Sequence, residues 1–140
     1  MTNPIISNPK HVTLTMTIEQ MDAIVRSVDF MARLYAGDFY ELARQCRTMP
    51  MSRKPTMPMS YKSPGNSGRI DELCRELKSI VRPDLPINAS CHKEKPASTL
   101  HDIRADILNG YYSQTDKPKP GVYPYLRFGD GEKIKVKVEE

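Results

Sequence analysis

A chain of 140 residues, 39% hydrophobic and 27% charged, is sized for one ordinary domain and leaves no room for two large cores. Twelve Pro against three Phe and no Trp imply a modest core joined by long connections, and no apolar run is long enough to cross a membrane. The net charge of +4 is small but uneven: between Leu42 and Ile70 there is no acidic residue, while Arg44, Arg47, Arg53, Lys54, Lys62 and Arg69 all fall there.

The polar, Pro-punctuated residues 1–10 read as a loose arm, and residues 11–140 as a single domain with a basic, Met- and Pro-rich loop at 47–67. In "HVTLTMT", Val12, Leu14 and Met16 alternate with Thr13 and Thr15, the period of a half-buried strand. Thr17 followed by Gln20 forms a capping box, in which hydroxyl and amide satisfy each other's backbone donors. A stripe from Met21 through Val25, Val28, Ala32 and Phe39 to Cys46 predicts a helix over about 18–46, kinked or broken near Gly37. Cys46 and Cys74 on apolar stripes read as small core residues.

No helix or central strand can run through the proline-rich loop. A second helix, capped by Asn66 or Ser67, carries Ile70, Leu73, Cys74, Leu77 and Val81 and ends before Pro83. A third, capped by Ser98 or Thr99, carries Leu100, Ile103, Ile107, Leu108 and Tyr111. Beyond it, "GVYPYLRF", the turn "GDG" and "EKIKVKVEE" predict a hairpin with Ile134, Val136 and Val138 facing inward. The expected fold class is therefore α+β: a small antiparallel sheet, built from the N-terminal strand and the C-terminal hairpin, packed against three helices.

Three segments, "LTMTIEQMDAIVRSVDFMARLYAGDFYELA", "IDELCRELKSIVRPDLPINAS" and "ADILNGYY", together resemble a widespread group of small accessory proteins of tailed bacteriophages. The resemblance spans about three-quarters of the chain, and its distinctive part is Pro83 to Ser90. It implies a phage setting in the cytoplasm of a host cell, where small non-enzymatic binders that blunt host defences are common. It carries no established activity over to residues here.

The chemistry of the residues points to binding. "TMPMS" occurs twice, placing Met49, Met51, Met57 and Met59 among Arg53, Lys54, Tyr61 and Lys62. Unbranched thioethers are adaptable apolar anchors, so this segment reads as a docking site for a partner protein. Copper is disfavoured there by the surrounding cations and the absence of histidine. Cys91 and His92 are adjacent and point apart on an extended chain, which argues against a catalytic dyad. His92, His101 and Cys91 lack the spacing of a closed zinc site. No phosphate loop or metalloprotease signature is present, so neither catalysis, a metal nor a cofactor is expected.

The stretch "INASCHKEKPAST" is the better candidate. Asn88, Ser90, His92 and Lys93 precede a helix whose first N–H groups, at Ser98 and Thr99, can receive an anion, and Arg69 and Arg104 can add charge. The expected ligand is an anionic small molecule, such as a nucleotide-derived host signal. A host protein docking on the Met-rich repeat is the alternative, with weak nucleic-acid binding through the same basic loop behind it. Nucleic acid is disfavoured because Tyr61 is the one aromatic among the loop's cations. A homo-oligomer is expected, since the apolar stripes exceed what one small sheet can cover.

Overall fold

Four helices follow one another in the computed structural model, which describes residues 5–48 and 64–140: α1 (Ile18–Tyr35), α2 (Phe39–Thr48), α3 (Pro64–Val81) and α4 (Ala97–Ser113). The capping box at the start of α1 is formed: Gln20 N–H donates to Thr17 Oγ1 at 3.1 Å, and Thr17 N–H to Gln20 Oε1 at 2.9 Å. The apolar stripe does not continue as one helix. At Gly37 the backbone turns left-handed, with φ +87°, and Asp38 Oδ1 accepts the Glu41 N–H at 3.3 Å as the chain re-enters helix.

Helix α1 packs on α4, and α2 on α3. Small residues are prominent among the buried positions of the first pair, with Ala32, Ala36, Ala97 and Ala105 all buried. The second closes over Phe39, Ala43 and Cys74, flanked by Leu42 and Ile70. Burial pushes the Cys74 thiol up from its ordinary range, as an inert core cysteine requires. Cys46, expected in the core, is exposed instead.

The two pairs are joined by residues 82–96, which α3 holds in place. Lys78 is 5% exposed, and its ammonium donates to the carbonyls of Ile87, at 2.9 Å, and Ala89. Arg82 donates to Tyr35 O at 3.0 Å, to both oxygens of Asp84 and to Glu94, tying the end of α1 to this connection. Cys91 N–H then donates to Ala36 O at 2.8 Å. The backbone of residues 87–91 is thus set against α1, just before His92.

The expected sheet is absent: the described residues hold four helices and no strand, so the fold is helical rather than α+β. The C-terminal residues are extended, but α4 takes the place a neighbouring strand would occupy. Asp106 accepts the Ile134 N–H at 3.0 Å, and Gln114 accepts from Val138 at 3.1 Å while donating to Val136 O at 2.7 Å. Four residues of helix and two of extended chain advance by similar distances, about 6.0 and 6.6 Å, so side chains of α4 meet every second residue of the tail. Gly110 lies between these anchors, where a Cβ would stand 2.6 Å from Val136 Cβ. Upstream, Asn109 both donates to Tyr125 O and accepts its N–H, and Asp102 accepts from Phe128 and Gly129. The alternation at Ile134, Val136 and Val138 matches a helix face rather than a partner strand.

Val12, Leu14 and Met16 make no ladder with any described residue and are exposed. Two helix starts also differ from expectation. Helix α3 begins at Pro64, ahead of Asn66 and Ser67, at a position where a missing N–H costs nothing. Helix α4 begins at Ala97 without a side-chain cap, and Ser98 is buried inside it.

Candidate functional site

The connection held by Lys78 and Arg82 delivers Ser90 and His92 to the flank of α4. Ser90 Oγ is 3.1 Å from His92 Nε2, and His92 Nδ1 is 2.9 Å from His101 Nε2. The two imidazole rings lie 5.0 Å apart at 57°, and Phe128 covers His101 at 5.6 Å. A hydrogen bond between two ring nitrogens needs one of them bare, so the pair survives with at most one added proton and breaks when both rings are charged.

Two guanidinium groups border the pair. Asp29 on α1 accepts from Arg33 Nε at 3.2 Å and stands 3.7 Å from Arg104 Nε, beyond hydrogen-bond reach. Arg33 reaches Asp38 as well, at 3.5 Å. Arg104 instead lies over the Tyr125 ring, 4.7 Å from its centre, and Asn109 fixes that residue's backbone. His101 and Arg104, three apart on α4, share one face, which is how a loop residue and α1 come to meet there.

Burial lowers the His101 pKa below the ordinary 6.5, the charges of His92, Arg33 and Arg104 lower it further, and Asp29 opposes them. A histidine that binds its proton more readily when unfolded leaves stability intact above the ordinary value and removes it as pH falls through that range. Replacing His101 with Asn is expected to flatten the loss of stability between about pH 7 and about pH 5. Urea midpoints at the two pH values check this, and an unchanged slope would show that the pair is not the acid-sensitive element.

Of the residues singled out from sequence, the structure brings Ser90, His92 and Arg104 together. Lys93 is next in the chain and exposed. Asn88 is exposed between the two carbonyls that hold Lys78. Arg69 belongs elsewhere: it sits on α3, which packs on α2, and pairs with Glu72 at 3.3 Å. At the first turn of α4, where an anion was expected at Ser98 and Thr99, the Ser98 N–H donates to Glu94 O at 2.9 Å. Met49, Met51, Arg53, Lys54, Met57, Met59, Tyr61 and Lys62 lie outside the described residues.

Sequence reading missed Asp29, Arg33, Tyr125 and the role of His101 as the partner of His92. The available signals were the i, i+3 spacing of His101 and Arg104 and the i, i+4 spacing of Asp29 and Arg33. Among the described residues no group of three or more His, Cys, Asp or Glu side chains is placed to hold a metal ion. No described helix is long and apolar enough to cross a membrane.

An open cleft of about 800 Å³ adjoins the cluster, lined by Asp106, Asn109, Tyr125, Arg127 and Ile134 among others. Its charges are committed to holding the tail. Arg127 Nη1 donates to the carbonyls of Gly129 and Gly131, and Arg127 Nε lies 2.8 Å from Asp106 Oδ1 without hydrogen-bond alignment. Tyr125 is common to the cleft wall and to the Arg104 contact. Comparison of the chain with family models, with curated proteins and with solved structures finds no match.

Proposed function

We propose that the protein is a non-catalytic binder of a small anionic, nucleotide-derived molecule, held at His92, His101 and Arg104. The observation that carries this reading is the imidazole pair itself, with Arg104 one turn along the same helix and its counter-ion Asp29, held by Arg33, standing off at 3.7 Å. An arriving phosphate takes the Arg104 donors that Asp29 does not use, and its charge favours a proton on the imidazole pair. Tyr125 and Phe128 offer aromatic surface for a base at one side, and the adjoining cleft offers room. The resemblance to phage accessory proteins supplies a setting in which sequestering a host nucleotide signal blunts a defence.

Calorimetric titration with ADP, with adenosine as the uncharged control, tests the reading. ADP is expected to bind and adenosine to bind weakly or not at all, with ADP tighter at about pH 6 than at about pH 8 because binding takes up a proton. Equal affinity for the two ligands would remove the anion from the account.

A further inference from the structure

The contacts proposed for an anion leave one side chain of the cluster unused, the hydroxyl of Ser90. Ser90 and His92 flank Cys91 in an irregular stretch of backbone, and their side chains meet. Three groups form a chain there: Ser90 Oγ is 3.1 Å from His92 Nε2, and His92 Nδ1 is 2.9 Å from His101 Nε2. A serine hydroxyl is a weak nucleophile until an adjacent base takes its proton, and the base acts best when a third group orients it. Ser90, His92 and His101 stand in that order.

Among the described residues, His92 Nε2 is the one acceptor within reach of the Ser90 hydroxyl. A hydroxyl that donates there leaves the His92 proton on Nδ1, directed at a bare His101 Nε2. Burial and the charge of His92 hold His101 below its ordinary range, against the pull of Asp29, so that nitrogen is free to accept. The backbone on both sides of Ser90 is fixed: the buried ammonium of Lys78 holds Ala89 O, and Cys91 N–H donates to Ala36 O at 2.8 Å. The hydroxyl is thus positioned by its neighbours yet exposed, where a reagent reaches it. The Ser90 N–H donates to no described residue and is available to the oxyanion of a tetrahedral adduct.

We propose that Ser90 is a nucleophile that accepts an acyl group from an activated ester, with His92 as its base and His101 as the positioning residue. Ser90 Oγ attacks the ester carbonyl while its proton passes to His92 Nε2, and His92 Nδ1 keeps its hydrogen bond to His101. As the tetrahedral adduct collapses, the bond to the leaving oxygen breaks and His92 returns the proton to it. The products are acyl-Ser90 and the free alcohol or phenol. This step goes beyond nucleotide binding and does not rest on it: the chain itself is modified, once per copy.

Incubation of the full chain with p-nitrophenyl acetate, followed by peptide mass spectrometry, tests this. The expected product carries acetyl on Ser90, which mapping separates from acetylation of the neighbouring Cys91 and Lys93. His92→Gln keeps an amide between the two partners but removes the base, and is expected to slow acetylation of Ser90 about 100-fold or more. His101→Gln, whose amide oxygen still accepts from His92 Nδ1, should retain most of the rate, whereas His101→Phe should fall toward the rate of His92→Gln. Ser79→Ala removes an exposed hydroxyl on α3 that donates to Glu76 O, and should change nothing. Rates are compared among variants whose helical circular dichroism matches that of the unaltered chain. Acetyl groups found only on residues other than Ser90, an undiminished rate at Ser90 in His92→Gln, or equal rates for His101→Gln and His101→Phe would each overturn the proposal.

Discussion

Gly37→Ala is expected to lower the stability of the fold by about 2–3 kcal/mol, a large share of the margin of a domain this size. The backbone there is left-handed, φ +87°, which costs an L-residue with a Cβ about 1–2 kcal/mol. The added Cβ would also stand 2.8 Å from Leu85 Cδ1. That methyl is the far end of a flexible side chain, so moving it adds about 1 kcal/mol rather than more. Gly68→Ala is the matching control: it lies within α3 with nothing within 4 Å of a new Cβ, and alanine should gain up to about 1 kcal/mol there. Urea midpoints that move in opposite directions for the two variants would support this account of the α1–α2 junction. Equal shifts would mean that Gly37 is tolerated for some other reason.

Arg104→Ala is expected to weaken ADP binding about 10- to 100-fold, since a hydrogen bond to a charged group is worth about 1.5–3 kcal/mol and each 1.4 kcal/mol is about tenfold. Arg104→Lys should fall between, keeping the charge and losing the planar contact with Tyr125. Arg69→Gln should leave affinity unchanged, because that side chain is exposed on α3 and paired with Glu72. Titration calorimetry of the three variants at one ionic strength separates these outcomes. A loss with Arg69→Gln equal to that with Arg104→Ala would place the anion elsewhere.

Some local signals in the sequence carried well, although the caps expected for α3 and α4 did not. Thr17 and Gln20 cap α1 as their spacing requires, Gly37 breaks the helix it interrupts, and Pro83 follows the end of α3. The sheet failed because alternation records that every second residue faces something, without recording what. Asp106 and Gln114 supply hydrogen bonds that a neighbouring strand would have supplied, and a helix can do so because its i, i+4 rise nearly matches two extended residues. The candidate site was half legible for the same reason. Ser90 and His92 are close in the chain, whereas Asp29 and Arg33 arrive through the packing of α1 on α4, a contact no short motif encodes. Charge is the one signal that points to Arg69, and charge does not say which face of the fold a residue occupies.

The central claim is that an anion settles at the histidine pair, and nitrogen-15 NMR of the imidazole side chains tests it most directly. With saturating ADP, His101 is predicted to titrate at higher pH than in the free protein, because the phosphate stabilises its charged form, and adenosine should leave it unmoved. Imidazole signals that titrate identically with and without bound ADP would contradict the account.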